Sequence, residues 1–120
     1  MNSTVKPVRS AIESAQRTIA IELQAVAALQ QRIDDQFAKA VALLAAVEGR
    51  VIVSGMGKSG HIGSKIAATL ASTGTPAQFV HPAEACHGDM GMITRSDAAL
   101  LMSNSGTTSE ITALLPLLKR

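Results

Sequence analysis

The stretch VIVSGMGKSG at residues 51–60 decides the fold of this chain, and AALLMSNSGTTSE at residues 98–110 repeats its pattern. In both, an apolar run leads into glycine and hydroxyl residues and then into a helical pattern. Short apolar runs bounded by such residues are typical of buried parallel strands. The free N–H groups and the dipole at a helix start favour an anion. Two such loops in one sheet therefore predict a site for a phosphate that carries a further group.

The sequence on either side of these loops predicts the remaining elements. Apolar residues between positions 8 and 47 recur at steps of three, four and seven, which predicts two helices with a break near residues 30–35. The later elements are predicted as strands at 51–53, 77–80 and 98–102, helices over 62–70 and from 111, and a loop over 81–92 with a helical turn around Glu84. This order predicts an α/β fold with a doubly wound parallel sheet in three layers, αβα, preceded by N-terminal helices. With three strands, the last is expected to leave an exposed apolar edge.

Composition narrows the class of protein. The chain has 120 residues, of which 47% are hydrophobic and 17% charged, so it is expected to form one packed domain. Its net charge of +2 is scattered and only two aromatic residues are present, so nucleic-acid binding is not expected. A mildly positive chain suits an anionic small molecule. The longest apolar run, residues 40–47, is too short to span a bilayer, so no membrane partner is expected.

The cysteine count and the N-terminus predict a cellular compartment. Cys86 is the only cysteine, which rules out an internal disulfide, and the first 20 residues contain no apolar signal core. Both features predict a reducing, cytoplasmic setting.

Two nucleotide-binding interpretations fail on specific positions. Residues 55–60 match GxGxxG, but a dinucleotide site also needs an acidic residue at the end of the second strand, where Val80 and His81 stand. The sequence Gly57-Lys58-Ser59 resembles the end of a Walker A loop, but that motif requires a glycine where Ile52 stands. The remaining interpretation is a phosphate site that does not bind a nucleotide.

Tight turns alone would account for one glycine-rich loop. They do not account for the second loop, because a single hydroxyl is enough to cap a helix. That loop carries five hydroxyl residues in seven positions: Ser103, Ser105, Thr107, Thr108 and Ser109. We therefore favour phosphate binding.

These motifs also carry a family resemblance. The loop SNSGTTSE at 103–110 resembles the signature loop of SIS (sugar isomerase) domains, which bind phosphosugars. The segments GMGKSGHIG at 55–63, STGTP at 72–76 and FVHPAEACHGDMGM at 79–92 are similar, more narrowly, to the arabinose 5-phosphate isomerase family. That family interconverts D-ribulose 5-phosphate and D-arabinose 5-phosphate, a step toward the octulosonate sugar of lipopolysaccharide. The similarity extends over essentially the whole chain and is densest over 49–120.

The resemblance implies a set of site residues. Lys58 and Glu110 match two members of the catalytic set. The positions that match phosphate-binding residues are Ser59, Ser103, Asn104, Ser105 and Thr108, and further substrate positions are Gly74, Thr75, His81 and His87.

The residues alone leave the roles of Lys58 and Glu110 open. Glu110 fits a capping box with Thr107, and it equally fits a base that moves a proton between C1 and C2 of a sugar. Lys58 is either a solvated loop lysine or a ligand contact that stabilises an enediolate. The resemblance favours the chemical role for both.

The histidines also have more than one interpretation. His81 and His87 flank a loop after the second strand, where open α/β sheets place ligand groups. Their spacing is not a specific metal motif, although the resemblance implies that His81 contacts substrate and can hold zinc. Otherwise no cofactor is required. His61, in the first turn of a helix, is expected to pack.

The resemblance also bears on domain organisation. Residues 1–48 are expected to form the N-terminal helical segment and 49–120 the first part of the SIS domain, with the rest of that domain and a CBS pair absent. A second glutamate and a histidine of the catalytic set are expected beyond Arg120. The chain is thus expected to be truncated, inactive or feebly active alone, and homo-oligomeric, the family being tetrameric.

Two alternatives remain. One is a phosphosugar-binding regulatory SIS module, as in some transcriptional regulators, although residues 8–47 contain no basic recognition helix. The other is the inactive product of a broken reading frame.

Overall fold

The computed structural model describes residues 5–86 and 89–119. Its elements in chain order are α1 (Val5–Leu29), α2 (Asp35–Ala45), β1 (Val51–Gly55), α3 (Gly57–Ser72), β2 (Ala77–Phe79), α4 (Pro82–Cys86), β3 (Ala98–Met102), α5 (Ser109–Thr112) and α6 (Leu114–Leu118). Short 3₁₀ helices occupy Gln30–Arg32 and Asp89–Met92. The chain divides into two compact units, Met1–Ala40 and Val41–Arg120. Across the described residues, every helix is too short or too polar to traverse a bilayer.

The first unit confirms the predicted helical break. The α1 helix ends at Leu29, and Ile33 adopts an extended conformation before α2 begins. The Asp34 carboxylate accepts the Gln36 N–H at 3.0 Å, which satisfies one of the free donors at the start of α2. The apolar residues of α1 are exposed, with Ile19 65% and Leu23 68% accessible.

The second unit contains a three-stranded parallel sheet in the order β2-β1-β3. Val51 of the central strand pairs with Ala77 on one side and Ala98 on the other. All five residues of β1 are buried, as expected for a strand covered on both faces. The predicted parallel α/β fold is confirmed, and β1 extends two residues further than its apolar run.

Alternate residues of β1 lie on opposite faces of the sheet and contribute to two hydrophobic cores. Val51 and Val53 pack with Ala67 of α3 on one face. Ile52 packs on the other face with Ala85 of α4 and Leu114 of α6. Helices therefore cover both faces, which gives the predicted three layers.

A polar cluster fixes the amino ends of the strands. The Asp97 carboxylate accepts the Arg50 N–H at 2.7 Å and the Thr94 N–H at 2.8 Å. The Arg50 guanidinium donates to the Gln78 side chain at 2.6 Å and to the Met92 carbonyl at 3.1 Å. The backbone N–H groups of Arg50 and then Thr94 hold the pKa of Asp97 below its ordinary value of 3.8. This cluster joins the starts of all three strands, so it helps to keep their carboxyl ends in register.

The C-terminal helix differs from the sequence expectation. In place of one helix from residue 111, the structure has α5 and α6 separated at Ala113. Pro116 lacks an N–H and cannot donate to the carbonyl of Thr112, four residues earlier, so a continuous helix would lose a bond there.

Candidate functional site

The two predicted loops meet at the carboxyl edge of the sheet. Gly55, the last residue of β1, pairs with Met102, the last residue of β3. Residues 56–59 and 103–108 therefore leave adjacent strands at the same level. This edge is where open α/β sheets bind their ligands.

The first loop passes directly from strand to helix. Met56 is extended, and Gly57 has φ of +57°, a left-handed conformation that favours glycine. At Gly60 a Cβ would lie 2.6 Å from the Gly55 carbonyl oxygen, so the first turn of α3 can approach the strand only without a side chain. Lys58 is exposed and Ser59 half-buried. Within the described residues no side chain caps this helix start, so its N–H groups face outward.

The second loop is organised by its own hydroxyls. The Ser103 and Thr108 hydroxyl oxygens lie 2.7 Å apart, and Ser103 Oγ accepts the Gly106 N–H at 3.0 Å. Ser105 Oγ accepts the Thr107 N–H at 3.1 Å. These bonds close the loop on itself, which reduces the ordering needed when a ligand binds.

Glu110 does not form the capping box that its spacing allows. The residue before α5 is Thr108 rather than Thr107, and no side-chain hydrogen bond caps that helix in the described structure. The Glu110 carboxylate instead accepts the Ser109 hydroxyl at 3.1 Å and stays exposed beside the second loop. Its oxygens are therefore accessible to a ligand.

A pocket of about 260 Å³ lies beside the first loop, at the carboxyl end of β2. Its lining residues are Gly55, Gly57, Gly60, His61, Ser64, Phe79 and His81. His61 is exposed and faces this pocket, so the expectation that it packs is wrong. His61 and Ser64 were not predicted as site residues from the sequence. They follow Gly57, the first residue of α3, by four and seven positions, so the three residues share one face of the helix. That spacing was the available signal.

Two predicted positions lie elsewhere. Gly74 and Thr75 lie between the end of α3 and β2, and the next residue, Pro76, accepts the Val51 N–H through its carbonyl at the amino edge of the sheet. They are thus at the opposite end of β2 from His81, and their substrate role stays a prediction. His87 lies outside the described residues.

Zinc at His81, which the resemblance implies, stays a prediction. No group of three histidine, cysteine, aspartate or glutamate side chains assembles in the part of the chain that the structure describes. The Nδ1 atom of His81 already accepts the Ala83 N–H at 3.2 Å. A structural or catalytic zinc ordinarily needs three or four protein ligands.

Comparisons with known proteins identify the family of this chain. The SIS domain profile matches residues 44–120. The arabinose 5-phosphate isomerase KdsD of Pseudomonas aeruginosa is 68% identical over 109 residues, which cover 91% of this chain and 33% of that protein. The enzyme of the same name from Escherichia coli K12 is 54% identical over 108 residues, covering 90% and 33%.

A solved structure agrees with these sequence matches. The c3406 protein of E. coli CFT073, solved in complex with arabinose 5-phosphate, is 44% identical to this chain with a TM-score of 0.87. The match covers 99% of this chain and 61% of that one. The chain spans about a third of the length of the curated relatives that it matches. Because the domain profile covers more than half of the residues, the chain belongs to the SIS domain family.

Proposed function

We propose that this chain is the phosphosugar-binding portion of an arabinose 5-phosphate isomerase, acting in the cytoplasm on the route to lipopolysaccharide. The observation that carries the proposal is the pairing of Gly55 with Met102, which sets two phosphate-type loops side by side at the carboxyl edge. The 68% identity to the Pseudomonas aeruginosa enzyme supports the choice of sugar.

The phosphate is assigned to the two loops. Hydroxyls of Ser59 and of the 103–108 loop, together with outward N–H groups at the start of α3, satisfy the oxygens of a dianion by hydrogen bonding. This arrangement needs little cationic charge, in keeping with a net charge of +2 for the whole chain.

The sugar end is assigned to Lys58 and Glu110, both exposed at this edge. In the isomerisation the aldose loses its C2 proton and gains a proton on C1, while a hydroxyl proton moves from O2 to O1. The Glu110 carboxylate is the chain's candidate for carrying the carbon-bound proton. The Lys58 ammonium would stabilise the negative charge of the enediolate between the two transfers. Every proton is returned, so the reaction uses no organic cofactor.

We expect binding to be easier to observe than turnover. Lys58 and Glu110 are two of the four catalytic residues that the family resemblance implies, and the chain spans about a third of the curated relatives. In an isomerase assay the purified chain should therefore show little or no turnover. We further propose that it assembles with copies of itself.

Calorimetric titration tests the proposed function. The chain should bind arabinose 5-phosphate in preference to glucosamine 6-phosphate, the type of ligand that a regulatory SIS module would take. Ser103→Ala should weaken binding about tenfold or more, because hydrogen bonds to charged groups contribute about 1.5–3 kcal/mol. The matched control is Ser72→Ala, at the exposed far end of α3, which should bind like the wild type. Tighter binding of the amino sugar, or no binding by a folded chain, would refute the proposal.

A further inference from the structure

We infer that the phenyl ring of Phe79 is the surface against which the carbon-bound hydrogens of the sugar pack. The pocket beside the first loop would then select ligands by their carbon skeleton, while the two loops bind the phosphate. The identity of the sugar in this inference rests on the proposed function. The placement of the ring rests on contacts within the chain alone.

The ring of Phe79 lies against a glycine face of α3. Phe79 is the last residue of β2 and pairs with Val53 of β1. A Cβ at Gly63 would lie 3.1 Å from Cε2 and 3.3 Å from Cδ2 of the ring, and a Cβ at Gly60 would lie 3.5 Å from Cζ. No side chain at these two positions separates the ring from the helix, so the ring occupies space that the glycines leave open.

The hydrophobic core holds the same ring. Phe79 packs against the buried cluster of Val51, Val53 and Ala67. It is only half-buried, however, and it also lines the pocket. A ring that is packed against a core and a helix backbone keeps its orientation, so the part that lines the pocket is a rigid apolar surface. A ligand that binds there finds this surface already in place, which lowers the entropy cost of binding.

The pocket combines this apolar wall with polar groups. His61 and Ser64 of α3 are exposed and line the same pocket as Phe79. A sugar has a matching division, because its hydroxyls form hydrogen bonds whereas its carbon-bound hydrogens present an apolar surface. Inorganic phosphate has no such surface. Phe79 should therefore contribute to the affinity for a sugar phosphate and not to the affinity for phosphate alone.

Proton NMR of the whole chain tests the contact directly. The chain contains two phenylalanines, no tyrosine and no tryptophan, so its phenyl signals come from Phe37 and Phe79 alone. At saturation with arabinose 5-phosphate, we expect nuclear Overhauser effects between the Phe79 ring and carbon-bound protons of the sugar. Phe37, which belongs to the first unit, is the internal control and should show none. Phe79 ring signals that do not shift at saturation would overturn the inference.

Substitutions separate a role in sugar binding from a role in folding. Phe79→Leu and Phe79→Met keep an apolar side chain but lose the flat surface, and they also assign the ring signals. We expect each variant to bind arabinose 5-phosphate about fivefold to tenfold more weakly and inorganic phosphate as the wild type does. Phe37→Leu makes the matched change at the other phenylalanine and should alter neither affinity. Tm shows whether each variant is folded.

The other outcomes are also decisive. Equal loss of affinity for sugar and inorganic phosphate would reduce Phe79 to a support of the fold, and full sugar affinity would remove it from the site. If both variants unfold, the Overhauser effects in the wild type decide. If the wild type binds glucosamine 6-phosphate instead, the proposed function fails, and the same measurements with that sugar decide the role of Phe79. A folded wild type that binds neither sugar more tightly than inorganic phosphate would overturn the inference.

Discussion

Ser54 is a buried polar residue in an otherwise apolar central strand. Its hydroxyl donates to the Val80 carbonyl at 2.6 Å, next to the histidine that lines the pocket. Ser54→Ala would leave that carbonyl without its partner in a dry environment, so we expect a loss of about 1–3 kcal/mol in the free energy of unfolding. Urea denaturation measures this loss. The control Ser64→Ala, at an exposed position of α3, should stay within about 0.5 kcal/mol of the wild type.

Asp97 should make the stability of the chain sensitive to acid. The Arg50 and Thr94 N–H groups bond to the charged carboxylate and hold its pKa below 3.8. Because the pKa is lower in the folded chain, the stabilisation is complete above the ordinary value and is lost as pH falls through the folded value. Asp97→Asn should remove this part of the acid destabilisation, which denaturation between neutral and strongly acidic pH would show. Glu48→Gln gives the effect of one lost negative charge, and equal pH profiles for the two variants would contradict the role of Asp97.

Some residue roles could be predicted from the sequence and others could not. The hydroxyl residues over 103–108 could be predicted as candidate phosphate ligands because they are more numerous than a helix cap requires. The Arg50–Asp97 contact was not, since it joins residues 47 positions apart whose proximity depends on strand register. His61 was missed because its helical spacing with Gly57 and Ser64 indicates only a shared face, whereas the pocket also needs Phe79 at the end of the neighbouring β2 and His81 just after it.

The junction between β1 and α3 is the element on which the site depends. A Cβ at position 60 would lie 2.6 Å from the Gly55 carbonyl oxygen, so Gly60→Ala must push the helix away from the strand. We expect a loss of about 1–3 kcal/mol in unfolding free energy, the usual cost of overpacking, together with weaker sugar binding. Gly91→Ala is the control, because a Cβ there meets nothing within 4 Å. Wild-type stability and affinity in Gly60→Ala would show that the close approach is not needed.

Among the elements, the three strands were the most predictable. β1 and β3 contain short apolar runs, and β2 is a short segment that follows Pro76. Their parallel pairing follows from the helices between them. The end of the chain was less predictable because two effects compete there. The apolar spacing of Ile111, Leu114 and Leu118 favours one helix, whereas Pro116 removes a backbone donor and divides it.

At the scale of the whole molecule, the sheet has an open side. In the order β2-β1-β3, β3 pairs only with β1 in the described structure, and its second residue, Ala99, is exposed. An unpaired apolar strand is a template for association, so we expect the purified chain to oligomerise or aggregate. Ala99→Lys should reduce this association, as measured by sedimentation velocity. Ala68→Lys, on the exposed surface of α3, adds the same charge elsewhere and should not. A stable wild-type monomer would contradict the expectation.

The central claim is that the two loops at the carboxyl edge hold the phosphosugar together. Residue-resolved ¹H–¹⁵N NMR during titration with arabinose 5-phosphate tests it most directly. We expect saturable shifts of the Lys58 and Ser59 amides and of those over 103–108, with one common dissociation constant. Saturable shifts confined to other regions, with both loops unchanged, would contradict the claim, as would the absence of any saturable shift in a folded chain.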